Sequence, residues 1–257
     1  MNGTLKSALA AGIVAVAASG PASAADMPVV PYVEPVPIGG WYLRGYIGMS
    51  NQQVDKLDNA LFHTGGTIAF LDSGSFDSAP IYGIGAGYQF NQWFRADLTG
   101  EYRGKASFSA LDRYDFNNDG VWDGTNQYVA NKSEWLILAN AYFDLGTWWG
   151  ITPYVGAGVG TANVNISGFK DINTPNNGVA YADSSSQWNF AWALHAGAGW
   201  AVTPNVTVDL GYRYVDMGDG QTGDIISYTG VNNINNPMIF DSITSHDVHL
   251  GVRYAFQ

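Results

Sequence analysis

Residues 94–105 read Phe94-Arg95-Ala96-Asp97-Leu98-Thr99-Gly100-Glu101-Tyr102-Arg103-Gly104-Lys105. Phe94, Ala96, Leu98, Gly100 and Tyr102 alternate with Arg95, Asp97, Thr99, Glu101, Arg103 and Lys105. An extended strand points successive side chains to opposite faces, so this spacing puts every charge on one face and the apolar set on the other.

The same rule governs seven other stretches. Trp41, Leu43, Gly45, Ile47 and Met49 oppose Tyr42, Arg44 and Tyr46, while Tyr82, Ile84, Ala86, Tyr88 and Phe90 oppose Gly83, Gly85, Gly87 and Gln89. Trp135, Ile137, Ala139, Ala141 and Phe143 oppose Glu134, Asn140, Tyr142 and Asp144, and Val155, Ala157 and Val159 oppose Tyr154, Gly156, Gly158 and Gly160. From Trp188 to Trp200 the bulky residues oppose Asn189, His195, Gly197 and Gly199. Val206, Val208, Leu210, Tyr212 and Tyr214 oppose Asp209 and Arg213, and Val248, Leu250, Val252, Tyr254 and Phe256 oppose Asp247, His249 and Arg253.

Eight such strands suggest a closed β-barrel, and two arguments set its sidedness. An eight-stranded barrel is only just wide enough for its own side chains, so this many Trp, Tyr, Phe and Leu would overfill it. Trp41, Trp93, Trp148, Trp149, Trp188 and Trp200, with Phe256, sit near strand ends, where membrane-interface aromatics belong. The apolar face therefore points to lipid and the charges point inward, the reverse of a soluble barrel. Connections near 91–93, 146–151 and 203–205 are short; those near 51–79, 106–133, 164–187 and 216–244 are long. Strict alternation of the two predicts an all-β, eight-stranded antiparallel up-and-down transmembrane β-barrel, with short periplasmic turns and long extracellular loops.

Composition agrees. Charged residues are 13% and aromatics 14% of the 257 residues, with 32 glycines and no cysteine. Few charges suit an outer wall that is not wet. The net charge of −11 opposes nucleic acid as a partner, since phosphates need a basic patch. Lys6, the apolar run Ala8–Ala18 and Ala22-Ser23-Ala24 form an export signal with cleavage expected after Ala24, too short to span a bilayer as a helix. The predicted division is a signal peptide at 1–24, a Pro-rich periplasmic linker at 25–40 and the barrel at 41–257.

These stretches resemble a known group: the small outer-membrane β-barrel proteins of alphaproteobacteria, of the opacity-type and porin-like surface protein family. The resemblance runs from about Gly40 to Phe256. It rests on Gly40-Trp41-Tyr42, Gly83-Ile84-Gly85-Ala86-Gly87-Tyr88, Pro153-Tyr154-Val155-Gly156-Ala157-Gly158, Asp209-Leu210-Gly211-Tyr212-Arg213-Tyr214 and the closing Leu250-Gly251-Val252-Arg253-Tyr254-Ala255-Phe256. It implies residence in the outer membrane, contact with its lipid and lipopolysaccharide, and insertion by the outer-membrane assembly machinery, which reads a terminal strand ending in an aromatic residue. Phe256 is followed here by Gln257, one residue beyond that pattern.

Six inward cations, Arg44, Arg95, Arg103, Lys105, Arg213 and Arg253, face six anions, Asp97, Glu101, Glu134, Asp144, Asp209 and Asp247. Alternating strand direction puts Arg44, Asp97, Asp209 and Arg253 at one depth near the periplasmic side, and Arg103 beside Glu134 near the outer side. A buried lone charge is costly, so pairing is expected. The favoured reading is a structural plug of salt bridges in a surface and envelope protein. The alternative is a charge-lined, low-conductance porin, kept open by water beside Gly83, Gly85, Gly87, Gly156, Gly158 and Gly160.

Asp115-Phe116-Asn117-Asn118-Asp119-Gly120, with Asp123, has the opening of a calcium loop, but Asn126 stands where the bidentate glutamate belongs. An Asx-rich turn is the preferred reading, and divalent cations at these acidic loops are the weaker one. His195 and His249 face inward, and no His-x-Ser pair exists, so a lipid-modifying enzyme is the remote alternative. No cofactor is expected.

Overall fold

The structure, a computed structural model, describes residues 39–230 and 234–256. The signal and linker regions lie outside the described residues, apart from Gly39 and Gly40.

Twelve strands occur among the described residues: β1 (Gly40–Asp58), β2 (Thr67–Phe76), β3 (Ala79–Gln89), β4 (Phe94–Asp115), β5 (Gly124–Asp144), β6 (Ile151–Asn173), β7 (Gly178–Ala182), β8 (Ser185–Ala201), β9 (Val206–Asp216), β10 (Gly220–Gln221), β11 (Ile225–Ser227) and β12 (Ile239–Ala255). Eight of them pair antiparallel in the order β1, β3, β4, β5, β6, β8, β9, β12, and β12 pairs back to β1 through registers such as Gly45↔Val252. The ring is closed, which leaves no unpaired edge. At the short-turn end the Phe256 amide donates to the Trp41 carbonyl at 2.9 Å.

The four remaining strands are short ribbons at the other end. β2 pairs with β4, β7 with β6, β10 with β12 and β11 with β7. The stretches expected as long loops are therefore largely strand. β4 runs on to Asp115 and β5 starts at Gly124, so little of 106–133 is loop.

The strands reverse their polarity along their length. On the short-turn half, Leu43, Ile47, Ile84, Leu98, Leu210 and Leu250 are exposed and the charges are inside. This outward apolar band, running for example from Trp41 to Met49 on β1 and from Val248 to Phe256 on β12, is comparable with the roughly 9–11 residues a tilted strand needs to cross a bilayer. Beyond it, β4 presents Lys105, Ser107 and Ser109 outward and buries Ala106, Phe108 and Ala110. These join Phe76, Ala130, Val164, Ile166, Phe169, Phe240 and Ile243 in one apolar core inside the ring. The outer half is thus built like a water-soluble barrel and the inner half like a membrane one.

The switch on β4 is a bulge. Arg103 pairs with Glu134 and Ala106 with Lys132, so Gly104 and Lys105 together oppose Ser133. One extra residue shifts the face of everything after it. Lys105, expected inside, is exposed for that reason.

Candidate functional site

The charged interior is the densest polar feature of the ring, and it is layered. Nearest the short turns, the Arg95 Nε donates to Asp144 Oδ1 at 3.1 Å, and Arg253 lies 3.5 Å from Asp209. In the next layer Asp97 accepts from Arg44 Nη1 and the Tyr42 hydroxyl, both at 3.0 Å, and from Asn140 Nδ2 at 2.8 Å. Arg44, Asp97, Asp209 and Arg253, read from the sequence as sharing one depth, divide between these two adjacent layers.

The third layer is a continuous chain. Arg213 Nη2 donates to Glu101 Oε1 and to Asp247 Oδ2, each at 2.7 Å. Arg103 makes a close ion pair with Asp247 and lies 3.5 Å from Glu101. Glu134 is 3.9 Å from Arg103, but its close partner is Lys132. The expected Arg103–Glu134 neighbourhood is present, yet it is not the principal pairing of either residue.

Lys132 is the residue the sequence reading missed. It falls within 106–133, read as a loop, but is fully buried. Its signal was available: it sits two positions before Glu134, hence on the same strand face. With Lys132 inside and Lys105 outside, six cations still face six anions.

The inward glycines do not leave a lumen. A Cβ on Gly83 would overlap the Tyr46 ring, one on Gly156 would come within 2.6 Å of the Tyr142 ring, and one on Gly197 within 2.6 Å of Tyr154. These three glycines each make room for a tyrosine, whereas Gly158 faces the Asn140 side chain and Gly160 the Ile137 carbonyl. Those rings carry the cations: the Arg95 guanidinium lies 4.1 Å from the Tyr142 centroid and 4.7 Å from that of Tyr154. The space left between Arg44, His195, Arg213 and His249 is too small for a water molecule.

His195 and His246 are held by hydrogen bonds, while His249 is buried against the Tyr46 ring with its Nδ1 unbonded. His195 Nε2 bonds Asn140 Oδ1 at 3.0 Å, and His246 Nδ1 bonds the Tyr212 hydroxyl at 2.6 Å. Several side-chain oxygens of the calcium-like loop are used locally, although Asp115 Oδ1 is buried without a hydrogen bond. The Gly120 amide donates to Asp115 at 2.9 Å, the Val121 amide to Asp119 at 2.8 Å and the Phe116 amide to Asp123 at 2.7 Å, while Asn117 Nδ2 bonds Asp119 at 3.0 Å. Among the described residues no group of three or more His, Cys, Asp or Glu side chains is placed to hold a metal ion.

The expected interface aromatics are exposed. Trp41, Trp93, Trp148, Trp149, Trp200 and Phe256 gather at the short-turn end, and Trp188 lies toward the opposite margin of the apolar band, across from Asn163.

A closed ring with an apolar outside and a paired, charged inside is the pattern of a protein that lives in an outer membrane, and residues 8–256 match the family described as outer membrane protein beta-barrel domain. The chain belongs to that family. It is 32% identical to a protein of Brucella abortus over 92% of this chain and 93% of that one. It is 30% identical to outer membrane protein PagN of Salmonella typhimurium, over 68% of this chain and 72% of that one. It is also 28% identical to a putative adhesin of Rickettsia prowazekii, over 84% and 87%. Among solved structures, the outer membrane protein OprG of Pseudomonas aeruginosa matches with a TM-score of 0.49 at 13% identity, over 88% of this chain and 99% of that one. Membership of this family places the protein in the outer membrane, as the sequence implied.

Proposed function

We propose that this is a sealed outer-membrane β-barrel that works through its outer face: an envelope and surface-interaction protein with its short turns in the periplasm and its long end outside the cell. The observation that carries this reading is the double closure of the interior. The Glu101–Arg213–Asp247–Arg103 chain crosses the ring, and the apolar core containing Phe108, Phe169 and Phe240 fills it above that level. An ion would have to displace both. A conduit for ions or small solutes is therefore disfavoured, and the space beside the glycines that would line it is taken, by tyrosine at Gly83, Gly87 and Gly156, by Thr99 at Gly85, by Asn140 at Gly158 and by the β5 backbone at Gly160.

Display is favoured by the continuation of the strands beyond the apolar band, which presents the outer ribbons on a rigid support. The Rickettsia relative is named a putative adhesin, and contact with a partner surface is the kind of task such a support suits. Histidines held by Asn140 and Tyr212 support structural rather than catalytic roles, so we read the protein as a non-enzyme. Divalent-cation bridging at the acidic outer residues is not part of this reading. The test is a planar-bilayer recording on purified, folded protein. Silence is expected, and steady single-channel steps would overturn the sealed-barrel reading.

A further inference from the structure

The outer mouth holds an open cavity of about 620 Å³ between the ends of β5 and β6 and the ribbons β7 and β11. Its floor carries Asp171 and Asn126, and its walls include Val179, Tyr181 and Tyr228. We propose that this cavity binds a protonated primary amine, with the Asp171 carboxylate as counter-ion and Tyr181 and Tyr228 as the aromatic wall.

Three observations converge on that chemistry. First, Asp171 Oδ1 is buried with no hydrogen-bond partner, and no ion pair reaches it among the described residues. Lys170, next to it in sequence, belongs to the opposite strand face and is exposed. Second, a further carboxylate stands close by. Asp112 is fully buried and accepts from the Tyr128 hydroxyl at 2.7 Å and Asn126 Nδ2 at 3.1 Å. Burial, followed by the neighbouring Asp112, pushes the Asp171 carboxyl up to about 7. A cation is the group that would relieve both effects together. Third, Tyr228 and Tyr181 are exposed, at 83% and 44%. An aromatic face and a carboxylate around one cavity make the usual arrangement for an ammonium group. The net charge of −11 concentrates cations at this surface.

The amine could be a free metabolite or a lysine side chain of a partner protein. The inference deepens the surface-interaction reading but is tested apart from it, since binding in detergent is independent of whether the barrel conducts. Isothermal titration of the folded full-length barrel at pH 8 and physiological ionic strength, where diffuse attraction is screened, would use 1,5-diaminopentane and Nα-acetyl-lysine methylamide as probes.

Saturable binding of at least one probe is expected. It should weaken by about tenfold or more in Asp171→Asn, which is near-isosteric, and measurably in Tyr228→Ala. Asp55→Asn, a change to an exposed carboxylate on the outer face of β1, should leave binding unchanged. Binding by both probes would point to a side chain of a partner, and binding by the diamine alone to a free amine. No saturable binding by the wild type, or equal losses in Asp171→Asn and Asp55→Asn, would overturn the proposal. Tyr228→Ala keeps the test valid should Asp171→Asn fold poorly.

Discussion

Arg213 reaches across the ring to hold both oxygens of Glu101, at 2.7 and 2.8 Å, from 112 residues away in sequence. The same guanidinium bonds Asp247. Replacing it with methionine keeps most of the volume and leaves two buried carboxylates short of a partner. Arg213→Met should destabilise the barrel by about 3–5 kcal/mol, the usual cost of breaking a buried pair from one side. Urea unfolding in lipid vesicles measures it. A midpoint equal to the wild type would mean that the pairing contributes nothing. The double variant Arg213→Met/Glu101→Gln should recover part of the loss, because one of the orphaned charges is gone.

Lys105 and Lys132 make the sharpest contrast between sequence and structure. Lys132→Met should cost about 3–5 kcal/mol by stranding Glu134, whereas Lys105→Met should stay within about 0.5 kcal/mol, as surface changes do. The same unfolding assay compares them, and the reverse order of effects would sink the bulge at Gly104. The inward face of the membrane half was legible because period-two alternation labels it residue by residue, from Arg44 to Arg253. The outer half was not, for two physical reasons. The extra residue at Gly104–Lys105 breaks the phase of the alternation. Beyond it the code is inverted, so that Ala106, Phe108 and Ala110 between serines look like a mildly polar loop. Leu136 and Leu138, buried on the same face as Glu134 and Asn140, fall outside the charged-inside rule as well. The tyrosine–glycine packing was equally hidden, since which ring enters which gap depends on register across strands.

That packing yields a third prediction. Gly83→Ala puts a methyl into the Tyr46 ring, whose hydroxyl bonds Glu101 at 2.8 Å. Overpacking of this kind costs about 1–3 kcal/mol. Gly100, on the outward face of β4, has nothing within 4 Å of its would-be Cβ, so Gly100→Ala should be neutral or slightly stabilising. Equal midpoints for the two variants would mean that Gly83 faces open space, and would reopen the case for a water-filled lumen.

The outer mouth gives the protein a pH dependence of determinate sign. Burial and the nearby Asp112 raise Asp171 to about 7 from an ordinary value of 3.8. Burial also raises Asp112, against the hydrogen bonds from Tyr128 and Asn126 that favour its charge. A carboxyl raised on folding binds its proton more tightly in the folded state than in the unfolded chain. Stability from this group is therefore unaffected well below pH 4, falls as pH rises from about 4 to 7, and levels off above that. The wild-type protein should melt at a higher temperature at pH 5 than at pH 8, and Asp171→Asn should flatten much of that slope by removing the titrating group. Calorimetric scans of both proteins at the two values decide it. An identical slope in the variant would show that the mouth carboxylate is solvated like any surface aspartate. A millimolar diamine present in the pH 8 scan should raise the wild-type melting temperature and leave that of Asp171→Asn where it was, since a ligand that binds only the folded state stabilises by mass action.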